Sequence, residues 1–322
     1  IMNKQLIMNK IINIGLIGGR GYVGKELVKL INKHPTFNLK QAFSRSQAGS
    51  LISGYPKNPN LKYLPLGKSS FELDSSVQAL ILALGNGEAK DYMEFILKLN
   101  QEITVIDISS DNRFNPDWLY RLPEISKDSG NSKFLSNPGC YATAIQLSIE
   151  PIKDLLVGKT SSFGISGYSG AGSNPNNKND KNTLRENILP YSLANHLHQE
   201  EVRAHCYKKS SFTPHVADFF RGISMTTHIR LKEPSDSSEI LKLFKDFYQN
   251  KPLVKITKSI PLVADNVMQH HASIGGFDID DSGLNLVICC TLDNLLKGAA
   301  TQCIQNLNYS FQLNEEAGIN YD

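Results

Sequence analysis

The sequence predicts an α/β protein with a doubly wound parallel sheet and a second domain built on a mixed, partly antiparallel sheet. Three observations carry this prediction. Apolar strands alternate with amphipathic helices up to residue 108, a glycine-rich turn joins the first strand to the first helix, and later strands follow one another with few helices. Alternation favours right-handed βαβ units, whereas successive strands favour antiparallel pairing.

The elements of the first domain follow from local patterns. Residues 11–17 are an Ile-rich run typical of a buried parallel strand. Residues 24–34 place apolar side chains at helical spacing, and Pro35 ends that helix. The other elements predicted in this domain are strands at 39–43, 77–84 and 104–108 and a helix at 88–99.

After residue 140 the spacing of the strands changes. The predicted elements are strands at 162–166, 224–231, 271–278 and 284–291, with one helix at 237–248 among them. The segment 170–182, GAGSNPNNKNDKN, is too polar to pack and is predicted to be a mobile loop. A last helix at 296–311 is apolar on one face and is expected to return to the first domain.

The composition excludes several classes of protein. A net charge of +3 is too small to indicate nucleic-acid binding, and no apolar run approaches the roughly 20 residues of a membrane helix. Five cysteines without CxxC spacing favour a reduced, cytoplasmic protein. Residues 1–19 lack the cleavage site of a signal peptide. We therefore expect a small-molecule ligand, with neither nucleic acid nor a membrane as partner.

The turn after the first strand has the pattern of a dinucleotide-binding loop. Residues 19–24 satisfy GxGxxG between a strand and a helix. Glycines in such a turn let the backbone approach a pyrophosphate, which then lies at the helix N-terminus. A purely structural tight turn is the alternative. The predicted cofactor-binding residues here are Gly18, Arg20, Gly21, Tyr22, Val23 and Gly24.

The end of the second strand indicates which cofactor is preferred. NAD-binding sites usually carry an acidic residue there, whereas this chain has Ser44, Arg45 and Ser46. A guanidinium between two hydroxyls favours a 2′-phosphate, so the sequence predicts NADPH. The alternative is a solvated loop arginine.

The segment SNPGCYATA contains the candidate nucleophile, Cys140. A thiol after Asn137-Pro138-Gly139, near a predicted helix start, is favoured as a thiolate and has N–H donors nearby for an oxyanion. Inert burial in a core is the alternative for this cysteine, and it is our interpretation of the other four.

The segment NHLHQEEV offers a proton donor. His196 and His198 lie two residues apart and are followed by Glu200 and Glu201. A histidine titrates near neutral pH and suits the oxygen of a hemithioacetal. A histidine satisfied within a core is one alternative. A metal pair is another, but no third ligand motif supports it, so no metal is predicted.

Two arginines are candidates for binding an anionic group of the substrate. Arg113 follows a strand at the expected cofactor edge, and Arg221 lies in the run FTPHVADFFRGI. Either guanidinium could hold a phosphate or a carboxylate through paired donors, and either could instead form a surface salt bridge. The predicted substrate-binding residues are Arg113, Asn137, His196 and Arg221.

Taken together, these motifs resemble the N-acetyl-gamma-glutamyl-phosphate reductase family, which is related to the aspartate-semialdehyde dehydrogenases. The resemblance covers nearly the whole chain. Its carriers are GGRGYVG, SRS, YRLPEI, SNPGCYATA, GISGYSGAG, NHLHQEEV, FTPHVADFFRGI and LDNLLKGAATQCIQNLN.

The resemblance implies a covalent mechanism. Cys140 would attack an acyl phosphate and form a thioester, NADPH would reduce it, and His198 would protonate the oxygen as the intermediate collapses to a semialdehyde. Arg113 corresponds to a phosphate-binding arginine of the related dehydrogenases. The residues implied near the nicotinamide are Gly167, Ser169, Gly170 and Asn294, with Lys297 at the domain junction.

The resemblance also implies an architecture. A Rossmann-type domain at 1–140, joined by a C-terminal helix at 296–322, would bind NADP. A glyceraldehyde-phosphate-dehydrogenase-like domain at 141–295 would carry catalysis and dimerisation. A homodimer or homotetramer is expected.

The chain departs from many family members at HLHQEE, where they read HRHxPE. Leu197 and Glu200 replace an arginine and a proline, so a substrate contact of that arginine cannot be transferred. Aminoadipyl phosphate and aspartyl phosphate remain alternative substrates. A nucleotide-binding regulator without catalysis is the alternative of another class.

Overall fold

The computed structural model describes residues 11–67, 71–99, 102–127 and 132–320, which divide into two units. Unit 1 contains the described residues up to Arg121, with Lys127–Asn137 and Ala300–Asn320; unit 2 contains Leu122–Ser126 and Pro138–Ala299. The sequence-based boundary placed Cys140 in the first domain. Cys140 instead belongs to unit 2, because the helix that begins there packs on the sheet of unit 2. The stretch before residue 11, predicted not to be a signal peptide, lies outside the described residues.

Unit 1 is built on a seven-stranded sheet whose described ladders are all parallel. Its order is β3-β2-β1-β4-β5-β7-β6, so the chain reverses its direction of winding between β1 and β4. The central strands are buried almost throughout, as expected for a sheet covered on both faces. Its strands are β1 (Ile12–Ile17), β2 (Phe37–Ser44), β3 (Leu64–Pro65), β4 (Val77–Leu82), β5 (Thr104–Asp107), β6 (Leu119–Tyr120) and β7 (Phe134–Ser136).

Three helices cover this sheet: α1 (Tyr22–Lys33), α2 (Ala89–Leu99) and, from the end of the chain, α8 (Thr301–Ser310). Helix α8 contacts β5 and α1. It buries two asparagines, and both are satisfied: Asn306 donates to the side chain of Asn137 at 3.0 Å, and Asn308 bonds to His34 at 2.9 Å. The C-terminal segment is therefore fixed to unit 1 by polar contacts as well as by apolar ones.

Unit 2 contains a mixed seven-stranded sheet of order β12-β13-β14-β11-β8-β10-β9. Strand β10 runs parallel to β8, whereas β8, β11, β14 and β13 pair antiparallel in sequence. These two sheets confirm the predicted fold class. The strands are β8 (Thr160–Gly167), β9 (Ile188–Pro190), β10 (Ser210–Ala217), β11 (Ile223–Arg230), β12 (Val254–Ile256), β13 (Ala272–Ile279) and β14 (Asn285–Leu292).

The helices of unit 2 are α3 (Cys140–Ile149), α4 (Lys181–Leu184), α5 (Leu197–His205), α6 (Ser237–Tyr248) and α7 (Val263–Asn266). Every residue of α3 after Cys140 is buried, so this helix runs through the core of unit 2. It contacts α5, β11 and β14. A π-helical turn, Leu296–Ala300, follows β14, so the helix predicted at 296–311 is in fact this turn followed by α8.

Some elements differ from the prediction. Helix α5 and strand β10 were missed, so α6 is not the one helix among the later strands. Strand β10 contains Pro214, which argues against a strand. The proline is tolerated because β9 pairs only with residues 215–217 and leaves position 214 outside that ladder.

The polar segment 170–182 is not an unpacked loop. Asn176 and Asn179 donate to backbone carbonyls of the segment, and Asp180 caps α4. Leu184, at the end of α4, is fully buried. The asparagines therefore fold the loop locally. Among the described residues, no helix is long and apolar enough to cross a membrane.

Candidate active site

Cys140 is the first residue of α3 and is half-buried. Gly139 precedes it in an extended conformation, with φ −73° and ψ 151°, and no side chain of the described residues caps the helix. The first turn of α3 contains no acidic residue. The N–H groups and the positive end of the helix dipole there favour a thiolate and an oxyanion, which is the environment that the predicted nucleophile requires.

Glu201 fixes the turn that carries Cys140, the predicted nucleophile. Its Oε1 accepts a hydrogen bond from the backbone N–H of Gly139 at 2.7 Å, and its side chain is fully buried. Glu201 lies on α5, one turn after His198. Gln199 of the same helix accepts from the N–H of Phe212 on β10 at 2.9 Å. Helix α5 is thereby tied to both α3 and the sheet.

The two histidines of the HxH pair have different environments. His196 is the N-cap of α5: its Nδ1 accepts from the N–H of His198 at 3.1 Å. Burial lowers the pKa of His196 to about 4, and the charge of Lys178 adds to the effect. His196 is therefore neutral at physiological pH, which suits a hydrogen-bonding role rather than a charged one. The ring of His198 lies 4.9 Å from it.

Two tyrosines complete the cluster, and sequence reasoning missed both. The Tyr141 ring lies 5.8 Å from the ring of His198, and its hydroxyl donates to the carbonyl of His215 at 2.6 Å. Tyr191 lies 5.5 Å from His196. Burial raises the pKa of Tyr191 well above its ordinary value, and the electrostatic interaction with Cys140 adds to the effect. The position of Tyr141 directly after the nucleophile was the signal available for it.

The π-helical turn passes close to Cys140. A Cβ built on Gly298 would lie 2.7 Å from the Cβ of Cys140, so only glycine fits there. The neighbouring Lys297 forms a buried ion pair with Glu124 at 2.6 Å. This pair fixes the turn within unit 2.

Arg221, the arginine of unit 2 that was predicted to bind substrate, is paired with a carboxylate of the protein itself. Its Nε lies 2.6 Å and its Nη2 lies 2.9 Å from the carboxylate of Asp293, and both residues are buried. The same carboxylate accepts from the N–H groups of Met268, Leu295 and Leu296. Arg221 thus supports the segment that precedes the π-helical turn.

The residues predicted near the nicotinamide lie together in unit 2. Asn294 donates to the Ser169 hydroxyl at 3.0 Å and accepts from the N–H of Gly222 at 2.7 Å. A Cβ on Gly170 would lie 3.6 Å from the side-chain nitrogen of Asn294. Gly167 donates its N–H to the carbonyl of Gly222. The structure therefore brings the ends of β8 and β14 into one hydrogen-bonded cluster.

The glycine-rich turn lies in unit 1, where it fits a dinucleotide. A Cβ on Gly24 would lie 2.5 Å from the carbonyl oxygen of Gly18, so the turn closes only with glycine at position 24. Gly21 is the N-cap of α1, and no side chain of the described part of the chain caps this helix. The first turn of α1, which includes Tyr22 and Val23, carries no acidic residue. An uncapped helix start with a close glycine turn accepts a pyrophosphate.

The predicted 2′-phosphate residues follow β2 in the same unit. Arg45 is exposed and lies 3.0 Å from Glu88, with the Tyr92 hydroxyl at 3.5 Å. The Ser44 hydroxyl accepts from the N–H of Gln47, whereas Ser46 is exposed. Arg20, between the glycines, is half-buried. The acidic partner of Arg45 was not foreseen, since Glu88 is distant in sequence.

Arg113 and Asn137 lie in unit 1 and contact each other. The Nε of Arg113 donates to the carbonyl of Asn137, and its Nη2 donates to the carbonyl of Ile108, both at 2.9 Å. Both side chains are buried. The described residues contain no group of three or more His, Cys, Asp or Glu side chains that could hold a metal ion.

The protein families that this chain matches agree with the two units described above. Residues 13–132 match the family described as semialdehyde dehydrogenase, NAD binding domain, and residues 140–294 match semialdehyde dehydrogenase, dimerisation domain. An aspartate semialdehyde dehydrogenase II from Vibrio cholerae superposes with a TM-score of 0.75 at 17% identity, over 94% of this chain and 99% of that one. A Candida albicans aspartate semialdehyde dehydrogenase, solved with NADP, gives a TM-score of 0.68 at 13% identity. The fold and the two family matches thus define a semialdehyde dehydrogenase-type protein with a domain for a nicotinamide cofactor.

Relatives that are similar in sequence narrow this class of protein to one family. A Stenotrophomonas maltophilia N-acetyl-gamma-glutamyl-phosphate reductase is 40% identical over 95% of this chain and 97% of its own length. A Xylella fastidiosa reductase of the same name is 42% identical over 96% and 95%. The chain belongs to the N-acetyl-gamma-glutamyl-phosphate reductase family. Protein arg11, mitochondrial, from Schizosaccharomyces pombe is 43% identical over 99% of this chain, which spans only 36% of that protein.

Proposed function

We propose that this chain catalyses the NADPH-dependent reduction of N-acetyl-L-glutamyl 5-phosphate to N-acetyl-L-glutamate 5-semialdehyde, with release of phosphate, as a step of arginine biosynthesis. The observation that carries the proposal is the placement of Cys140 at the uncapped start of α3, in a turn that Glu201 ties to the helix of His198. The names of the bacterial relatives support the choice of substrate.

The first step uses the nucleophile. The Cys140 thiolate attacks the acyl carbon, a C–S bond forms, and the bond from that carbon to the phosphate oxygen breaks. The electron pair leaves with inorganic phosphate. The N–H groups at the start of α3 stabilise the oxyanion of the tetrahedral intermediate, because they already point out of the helix end.

The second step releases the aldehyde. When bound, the reduced cofactor supplies the hydride that converts the thioester to a hemithioacetal. His198 donates a proton to the developing oxyanion and takes it back as the C–S bond breaks, so that the Cys140 thiolate leaves. Residues 18–24 and the start of α1 would hold the pyrophosphate, and Arg45 the 2′-phosphate that distinguishes NADPH.

The proposed substrate-binding residues and the proposed oligomeric state follow from the same interpretation of the site. Arg113, Asn137, His196 and Arg221 remain the proposed substrate-binding residues, while the Ser169–Asn294 cluster, with Gly167 and Gly170, is proposed for the nicotinamide. A homo-oligomer, dimer or tetramer, is proposed because residues 140–294 match a dimerisation domain. The cytoplasmic location also remains a proposal, since three fungal relatives are named mitochondrial.

The test is the reverse reaction with purified protein. Phosphate-dependent reduction of NADP⁺ is measured with N-acetylglutamate semialdehyde, aminoadipate semialdehyde and aspartate semialdehyde. We expect the first to have the highest kcat/KM; equal or faster turnover of aspartate semialdehyde would overturn the substrate assignment. Cys140→Ser should lower kcat on the order of 10³-fold or more while NADPH still binds. Retained turnover in that variant would contradict the thioester mechanism.

A further inference from the structure

Lys178 lies beside Tyr191, a ring next to His196, although it belongs to the polar segment 170–182. Its Nζ is 4.6 Å from the centroid of the Tyr191 ring, at a distance typical of a cation–π contact. Tyr191 in turn lies 5.5 Å from His196. Lys178 is half-buried, whereas the residues before it, from Gly172 to Asn177, are exposed.

The loop around Lys178 is held in place. Asn176 donates to the carbonyls of Ala171 and Asn174, and Asn179 donates to those of Gly172 and Asn174. These bonds flank Lys178 on both sides, so its backbone is fixed by neighbours that do not use its side chain.

The ammonium of Lys178 has no carboxylate within ion-pair distance among the residues that the structure describes. Its charge contributes to the low pKa of His196, after the larger effect of burial. An ammonium that is partly desolvated, lies on an aromatic ring and has no carboxylate partner among the described residues is a site for an external anion. By contrast, Arg221 donates to Asp293, and Arg113 donates to two backbone carbonyls.

We propose that Lys178 binds the carboxylate at the amino-acid end of the substrate and selects acyl phosphates that carry this carboxylate. This inference rests on the proposed function. The phosphate is bonded to the carbon that Cys140 attacks, so it lies next to the sulfur. Lys178 contacts the Tyr191 ring, which lies 5.5 Å from the ring of His196. The His196 ring in turn lies 6.2 Å from that of Tyr141, the residue after Cys140. The anion at the far end of the substrate therefore fits this position better than the phosphate.

The reverse reaction separates the two anions, because the carboxylate is on the semialdehyde and the phosphate is a second substrate. Lys178→Met should raise the KM for the semialdehyde roughly 10- to 100-fold, as expected for loss of a charge-assisted hydrogen bond. The KM values for phosphate and NADP⁺ should stay unchanged, and Lys178→Arg should recover part of the loss. An unchanged KM for the semialdehyde, or an increase only in the KM for phosphate, would overturn the proposal.

Two controls make the result specific. Lys208→Met removes an exposed lysine of the same unit, in the turn before β10, and should leave all three KM values unchanged. The methyl ester of the semialdehyde lacks the negative charge. The wild-type enzyme should discriminate against the ester, and Lys178→Met should lose that discrimination; equal discrimination in both proteins would contradict the inference.

The test does not depend on which semialdehyde is turned over, since all three candidates carry a carboxylate. Preference for another semialdehyde would contradict the proposed substrate. The KM of wild type and of Lys178→Met would then be compared with that compound. If none is turned over, binding of N-acetylglutamate by calorimetry replaces KM. Equal affinity in wild type and Lys178→Met would then overturn the proposal.

Discussion

Glu201 accepts a hydrogen bond from the backbone N–H of Gly139, the residue directly before Cys140, at 2.7 Å. The bond joins α5 to the start of α3 and thereby fixes the direction in which the first turn of α3 presents Cys140. Glu201 is a positioning residue, since its carboxylate acts on the backbone.

Replacing Glu201 by Ala should lower kcat roughly 10- to 100-fold, because a buried N–H loses its acceptor and the turn can shift. Glu201→Gln keeps an oxygen acceptor and should retain more activity. The second readout is the rate at which iodoacetamide alkylates Cys140, which should fall in Glu201→Ala. Equal loss in both variants, with an unchanged alkylation rate, would contradict a positioning role.

Alanine substitutions at two glycines are expected to have opposite effects on the reactivity of Cys140 and on NADPH binding. Gly298→Ala places a Cβ 2.7 Å from that of Cys140 and should reduce alkylation and turnover while NADPH binding persists. Gly24→Ala places a Cβ 2.5 Å from the carbonyl oxygen of Gly18 and should weaken NADPH binding while Cys140 stays reactive. Fluorescence titration with NADPH and the alkylation rate measure the two effects separately. A loss of NADPH binding in Gly298→Ala would show that the two glycines do not act independently.

Arg45 and Glu88 should together affect the preference for NADPH over NADH. Arg45→Ala should raise the KM for NADPH about 10- to 100-fold and leave the KM for NADH unchanged, since only NADPH carries the 2′-phosphate. Glu88→Gln removes a carboxylate 3.0 Å from the guanidinium and should lower the KM for NADPH. Steady-state kinetics with both cofactors measure this, and a parallel change for NADPH and NADH in Arg45→Ala would rule out the role.

His34 should make the protein sensitive to acid. Its Nδ1 accepts from the N–H groups of Thr36 and Phe37, and burial lowers its pKa from 6.5 to about 4. Between these values the unfolded chain binds more protons than the folded one, so stability is full above pH 6.5 and falls as the pH drops towards 4. At pH 5 the loss is on the order of 2 kcal/mol.

The measurement for His34 is the free energy of unfolding in urea at pH 7 and pH 5. His34→Gln should be less stable at pH 7 and should lose less stability on acidification. His228→Gln, at an exposed histidine, is the matched control and should keep the wild-type pH dependence. An identical pH dependence in His34→Gln and wild type would contradict the assignment.

Much of the fold could be read from local patterns. The elements that were predicted begin and end within two residues of the observed ones, and α6 agrees at both ends, because apolar periodicity and capping are local signals. Helix α5 was missed because its sequence is polar. Strand β10 was missed because Pro214 argues against a strand unless the length of β9 is known.

The sequence by itself determined the fold class and the family, and it singled out Cys140 and His198 as the predicted nucleophile and proton donor, since a glycine turn, a thiol after Pro-Gly and an HxH pair are contiguous motifs. Tertiary structure alone decided how these residues are held. The acceptor of the Gly139 N–H, the carboxylate opposite Arg221 and the ammonium above Tyr191 come from distant segments. Hydrogen bonds and ion pairs act over about 3 Å in space whatever the separation along the chain, so packing has to bring such partners together before they can be recognised.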